Sequence, residues 1–142
     1  MSTEIIVAIV SALVAILSIV VTNYLTKRSQ LKFEERKLKE EYYTNYVKAI
    51  SQNVLMQDDH AGLDDAQNRL ILVASPKVVT ILMQFHDKIK PSAPPISGEE
   101  HDKILTELIK AMRSDLYGRK DINKGYPTIH LSGLRPYDRK GN

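Results

Sequence analysis

The sequence predicts an all-α, single-pass membrane protein: one N-terminal transmembrane helix continuing into a charged stalk, then a small cytosolic helical bundle. Three observations predict it. The 21 residues from Ile5 to Leu25 carry no charge, and 13 of them are Ile, Val or Leu. Beyond residue 41, apolar residues recur at three- and four-residue steps, the spacing of one helix face. Only Gly62 and Gly98 interrupt the middle of the chain and Trp is absent, which favours helices over a sheet.

The apolar run is the strongest signal. At 1.5 Å per residue a helix over it spans about 31 Å, the thickness of a bilayer's hydrocarbon core. Each central Ile, Val or Leu favours insertion by about 0.3–0.6 kcal/mol, enough to outweigh two serines and a threonine. A secretory signal would need a basic start, a shorter apolar core and a small-residue cleavage site. Here Glu4 precedes the run, and Val21-Thr22-Asn23-Tyr24 is a poor cleavage site. The segment is therefore expected to remain as an anchor.

Its flanks give an orientation. Lys27, Arg28, Lys32, Arg36, Lys37 and Lys39 follow the run and no Lys or Arg precedes it. Excess basic charge marks the cytosolic side. The expected location is the cell's inner (plasma) membrane, N-terminus outside and C-terminal domain cytoplasmic. Tyr24, Lys27 and Arg28 stand where a membrane interface is expected, the bases able to reach lipid headgroups. Ala8, Ser11, Ala15, Ser18 and Thr22 form a stripe of small residues at alternating steps of three and four. Such a seam permits close helix approach in lipid, so the anchor is expected to self-associate.

The remaining chain divides by composition. Residues 1–25 form the anchor and residues 26–41 the charged helical stalk, whose acids and bases interleave at helical spacing, Glu35 with Lys39 for example. Residues 42–117 form the bundle. Tyr42, Tyr43, Tyr46, Val47, Ile50, Val54 and Leu55 open its apolar face. As a tyrosine-rich stretch this invites comparison with a nucleic-acid stacking platform, but the aliphatic neighbours favour a packed core. Asp58 and Asp59 are expected to cap a helix over residues 62–74. Ser75-Pro76 starts the next, Ser as N-cap and Pro as first helical residue. Pro91, Pro94 and Pro95 break it, and Ser97 with Glu100 makes a capping box for a helix over residues 98–116, stopped by Gly118. Residues 118–142 show no period and are expected to be a flexible basic tail.

Chemistry-bearing motifs are sparse. Cys is absent, which removes disulfides, thiolate metal sites and Cys nucleophiles. His86-Asp87 and His101-Asp102 resemble the metal-ligating dipeptides of helical phosphohydrolases, but only four histidines occur in all. Acids on the first turn of a helix are expected for dipole reasons alone. Asp58, Asp59, Asp64 and Asp65 lack the spacing of a calcium loop. No arginine is followed by a histidine five to seven residues on, and neither a phosphate-binding loop nor a Gly-x-Ser-x-Gly elbow occurs. No catalytic, cofactor or metal residue is assigned, and nucleic acid is not an expected partner.

Two sequence elements, Leu70 to Pro76 (Leu-Ile-Leu-Val-Ala-Ser-Pro) and Leu108 to Leu116 (Leu-Ile-Lys-Ala-Met-Arg-Ser-Asp-Leu), follow the anchor and charged stalk. In this arrangement residues 1–117 resemble small bacterial and prophage-encoded single-pass membrane proteins with a cytosolic helical domain. The resemblance implies the architecture and carries no catalytic residue. The expected function is a membrane-tethered, non-enzymatic interaction or sensing module. It is expected to be oligomeric, with membrane lipid, a second copy and an unidentified protein as partners. The alternatives are a pore-forming effector, such as a toxin or phage-defence component, and a membrane-tethered hydrolase.

Overall fold

Among the described residues the chain forms four helices: α1 (Thr3–Leu55), α2 (His60–Val73), α3 (Pro76–Ile89) and α4 (Gly98–Tyr117). The computed structural model describes residues 2–55, 60–90, 92–118 and 122–130, and among them every regular element is a helix. Asp58 and Asp59, expected as caps for α2, lie outside the described residues. Two compact units divide the chain, residues 1–37 and residues 38–142.

The first unit is the greater part of α1. Residues 2–38 are all exposed, including Ile5, Val10, Leu17 and Leu25, so no protein surface covers its apolar side chains. An isolated apolar helix of this kind is unstable against water, because about 25 cal/mol is lost for every Å² of apolar surface left wet. Among the described residues α1 is the one helix long and apolar enough to cross a membrane. The bases and acids after Leu25 continue it as a solvated helix, with Leu31 and Phe33 exposed among them.

The second unit has a single core fed by every helix. The end of α1 contributes Tyr43, Tyr46 and Ile50, α2 contributes Ala66 and Leu70, and α3 contributes Val78, Leu82 and Phe85. From α4 come Leu105, Leu108, Ala111 and Met112. The steps are three or four residues in α1, α2 and α3, and α4 adds the adjacent pair Ala111 and Met112 to that pattern. Val47, Leu63, Ile81, Ile104, Ile109 and Leu116 pack around the edge, half-buried.

Local chemistry sets the helix boundaries. Ser75 is the N-cap of α3 with Pro76 behind it, yet its side chain makes no cap hydrogen bond. Ser75 lies beside Asp115 of α4 and helps lower its pKa. Ser97 does cap α4, accepting from the Glu100 amide at 3.1 Å. The Glu100 carboxylate meets Lys88 of α3 at 3.2 Å, so it ties two helices across the proline connector. Gly118 ends α4 with φ at 63°, the left-handed conformation that costs least at glycine.

After that turn the chain comes back. Residues 122–130, inside the stretch the sequence reads as a flexible tail, form a strap along α4. Asn123 donates from its side-chain amide to the Lys110 carbonyl and to the Ser114 hydroxyl, both at 2.8 Å. The Ile129 amide donates to the Thr106 hydroxyl at 2.8 Å, and the His130 ring meets the Asp102 carboxylate. Thr106, Lys110 and Ser114 are four residues apart, one polar ridge of α4, and Asp102 extends it by another turn. The tail's aperiodic sequence hid this docking, because polar side-chain anchors leave no hydrophobic period. Residues 131–142 lie outside the described residues.

Tyr46 shows the cost of building a core from tyrosine. It is 0% exposed, and its hydroxyl is buried without a hydrogen-bond partner. A buried unmet hydroxyl costs about 1–3 kcal/mol. Tyr46→Phe is therefore expected to stabilise the protein by about 1 kcal/mol, read as a raised midpoint in chemical denaturation followed by circular dichroism; a lowered midpoint would contradict the unmet hydroxyl.

Candidate functional site

The residues singled out from sequence lie along α1. Ala8, Ser11, Ala15, Ser18 and Thr22 form one exposed line, as their spacing requires on a helix. Ser18 donates its hydroxyl to the Val14 carbonyl at 2.7 Å. That back-bond meets the hydroxyl's donor inside the helix, which suits an apolar solvent. Tyr24, Lys27 and Arg28 follow at i, i+3 and i+4, so all three share one exposed side.

What the fold does gather is a polar joint in the second unit. The Tyr43 hydroxyl donates to Asp115 Oδ2 at 2.6 Å, across 72 residues of sequence. Lys39 Nζ stands 3.3 Å from the same oxygen. Ser75, in the turn between α2 and α3, lies close enough to Asp115 to help lower its pKa. One carboxylate thus ties α1 to α4 beside the α2–α3 turn. Lys39, placed by sequence in the stalk, works here as a bundle residue, its side chain only 16% exposed. Asp115 could have been suspected, since it sits seven residues after Leu108 and three after Met112, at the margin of an apolar face. Its partner could not, because nothing local in the sequence pairs residue 43 with residue 115.

The joint's titration follows from its contacts. Partial burial raises the Asp115 pKa, but the hydrogen bond from Tyr43, the nearby Ser75 and the Lys39 charge prevail and hold it below the ordinary carboxylate value. Burial, then the hydrogen bond to Asp115 and its negative charge, drive the Tyr43 phenol well above its usual range. Burial alone does the same to Tyr46.

The histidines occupy different settings. The His101 ring packs edge-on against Phe85 at 5.6 Å between centroids, with Nδ1 buried and without a hydrogen-bond partner. Its nearest carboxylate oxygen, on Asp102, is 3.6 Å away. His86 lies on α3 next to Asp87, whose carboxylate pairs with Lys90 at 2.9 Å. Among the described residues no group of three or more His, Cys, Asp or Glu side chains is arranged to hold a metal ion.

Among the concavities on this unit are a hollow of about 390 Å³ between α1 and α2, where Lys48, Asp65 and Arg69 stand together, and two that are more apolar. A cleft of about 340 Å³ is walled by Ile50, Leu63, Ile89, the Ala93–Ile96 stretch and His101, with Lys88 and Lys90 at its rim. Both lysines are paired, Lys88 with Glu100 and Lys90 with Asp87. The second, of about 370 Å³, is a groove between α1 and α4. Its lining comes from Tyr43, Thr44, Val47 and Lys48 of α1 and from Ile109, Met112, Arg113 and Leu116 of α4. On the strap side, Tyr126 lies 4.7 Å from the Arg113 guanidinium and Tyr117 lies 6.0 Å from it. Such stacking holds a cation by its attraction to the ring faces.

Comparison with protein-family models, curated proteins and solved structures finds no match to this chain.

Two pH-dependent outcomes follow from the joint. Asp115 has its folded pKa depressed, so its contribution to stability is present above the unfolded value near 3.9 and disappears as pH falls through the folded value. Asp115→Asn is expected to flatten the loss of stability below about pH 4, and Asp115→Ala to cost about 2 kcal/mol at pH 7. Tyr43 and Tyr46 are raised, so their contribution holds below about pH 10 and is lost on going higher. Urea unfolding across this pH range measures both limbs; an Asp115→Asn protein with an unchanged acid limb would exclude the joint.

Proposed function

We propose that this chain is a membrane-tethered, non-enzymatic interaction module. Ile5 to Leu25 span the plasma membrane with the N-terminus outside, and the helical bundle meets its partner in the cytosol. The observation that carries the proposal is the exposure of every residue from 2 to 38, apolar before Leu25 and basic only after it. The apolar segment requires lipid or another helix to cover it. The bases set the direction of insertion, and Tyr24, Lys27 and Arg28 hold its depth.

Self-association through the anchor belongs to the same proposal. In lipid, apolar side chains gain nothing from leaving the solvent, so association depends on close packing. The Ala8, Ser11, Ala15, Ser18 and Thr22 stripe offers that packing to a second copy, and the back-bond of Ser18 meets that hydroxyl's donor within its own helix.

The chain has no cysteine, so single-cysteine labelling is clean. Ser2→Cys is expected to react with an impermeant maleimide on intact cells, and Lys77→Cys only after the membrane is opened. The opposite pattern reverses the topology, and loss of the N-terminal segment from the mature chain removes the anchor. Joint replacement of Ser11, Ala15 and Ser18 by Leu is expected to reduce crosslinked oligomers in membranes severalfold, at equal membrane yield. Unchanged crosslinking would discard the seam.

A further inference from the structure

The groove between α1 and α4 differs in its charge from the cleft beside His101. Its floor is apolar: Val47 from α1, and Ile109, Met112 and Leu116 from α4. The two charged residues that line it, Lys48 and Arg113, are both basic, and no carboxylate lines it. Lys48 makes no ion pair among the described residues. Arg113 stacks against Tyr126 and Tyr117, and its Nε is buried without a hydrogen-bond partner. The cleft beside His101 is of similar size, but each of its lysines is matched by an acid.

We propose that this groove docks one helix of a protein partner, amphipathic and acidic along the flank of its apolar stripe. The inference rests on the reading of the chain as an interaction module and names its partner's chemistry. The α4 wall from Ile109 to Leu116 is two turns long, about 10 Å. That length accepts side chains at i, i+4 and i+7 of a docked helix, the usual anchors in helix-in-groove recognition. Acids beside the stripe would meet Lys48 and Arg113. The strap adds specificity, because Tyr126 holds the guanidinium in place before a partner arrives, so less ordering is lost on binding.

The test uses the full chain in nanodiscs of neutral phosphatidylcholine and three fluorescent helical peptides of about 15 residues. The first carries Leu at i, i+4 and i+7 with Glu beside the stripe. The second keeps every Glu and replaces Leu with Ser. The third keeps Leu and replaces Glu with Lys. Fluorescence anisotropy is expected to show the first binding at least about tenfold tighter than either control. Thr44→Trp, an exposed substitution at the groove's mouth, should weaken it about tenfold, and Lys48→Glu should weaken it severalfold, with helical content unchanged. Equal binding of the Ser control would show that the stalk's bases attract acid indiscriminately and would overturn the proposal. So would full affinity in Thr44→Trp, or self-crosslinking of Thr44→Cys that the first peptide cannot displace, which gives the groove to a second copy. Flotation of cell membranes tests the tether separately. A chain that floats with lipid but ignores the peptide rejects the groove alone, and one that binds the peptide but does not float rejects the tether alone.

Discussion

A core that no two or three helices can close is the constraint on which the second unit depends. Tyr46, Leu70, Val78, Leu82, Phe85, Leu105 and Leu108 are each essentially without exposure, and they come from all four helices. None of α2, α3 or α4 exceeds 20 residues, and isolated helices of that length are marginal in water. Their stability comes from the shared apolar surface, to which α1 adds Tyr43, Tyr46 and Ile50. The end of α1 is thus a structural member of the bundle as well as the continuation of the apolar helix.

A polar joint beside that core supplies what hydrophobic contact lacks, a fixed direction. Apolar packing tolerates small rotations of one helix against another, whereas the Tyr43–Asp115–Lys39 arrangement depends on distances of about 3 Å. Ser75 stands beside this joint without capping its own helix, so α3 starts on proline geometry alone.

How far the sequence reveals this molecule depends on the range of each interaction. The helices were legible because the apolar period is local: Leu105, Leu108 and Met112 announce a buried face without reference to the rest of the fold. Gly118 and Ser97 were equally legible, each acting within four residues. The joint was not, since Tyr43 and Asp115 are 72 residues apart. The strap was hidden for a different reason. Its anchors are an asparagine amide, a main-chain amide, a histidine and a tyrosine ring, residue types that also fill unstructured tails. The groove is a surface property of two helices together, and single-helix patterns assign Val47, Ile109 and Leu116 to the core.

The strap's attachment has a kinetic side. Among the described residues its partners lie on α4, from Ser114 back to Asp102, so these contacts wait until that helix exists. Its contacts are few and polar, the signature of a segment that opens locally while the core stays closed. Strap and bundle should then exchange their amide hydrogens on separate clocks, the Ile129 amide quickly and the amides under Leu108 slowly. Whatever stills the strap would slow the first clock without touching the second, so protection at Ile129 would register an event on α4 that overall unfolding cannot detect.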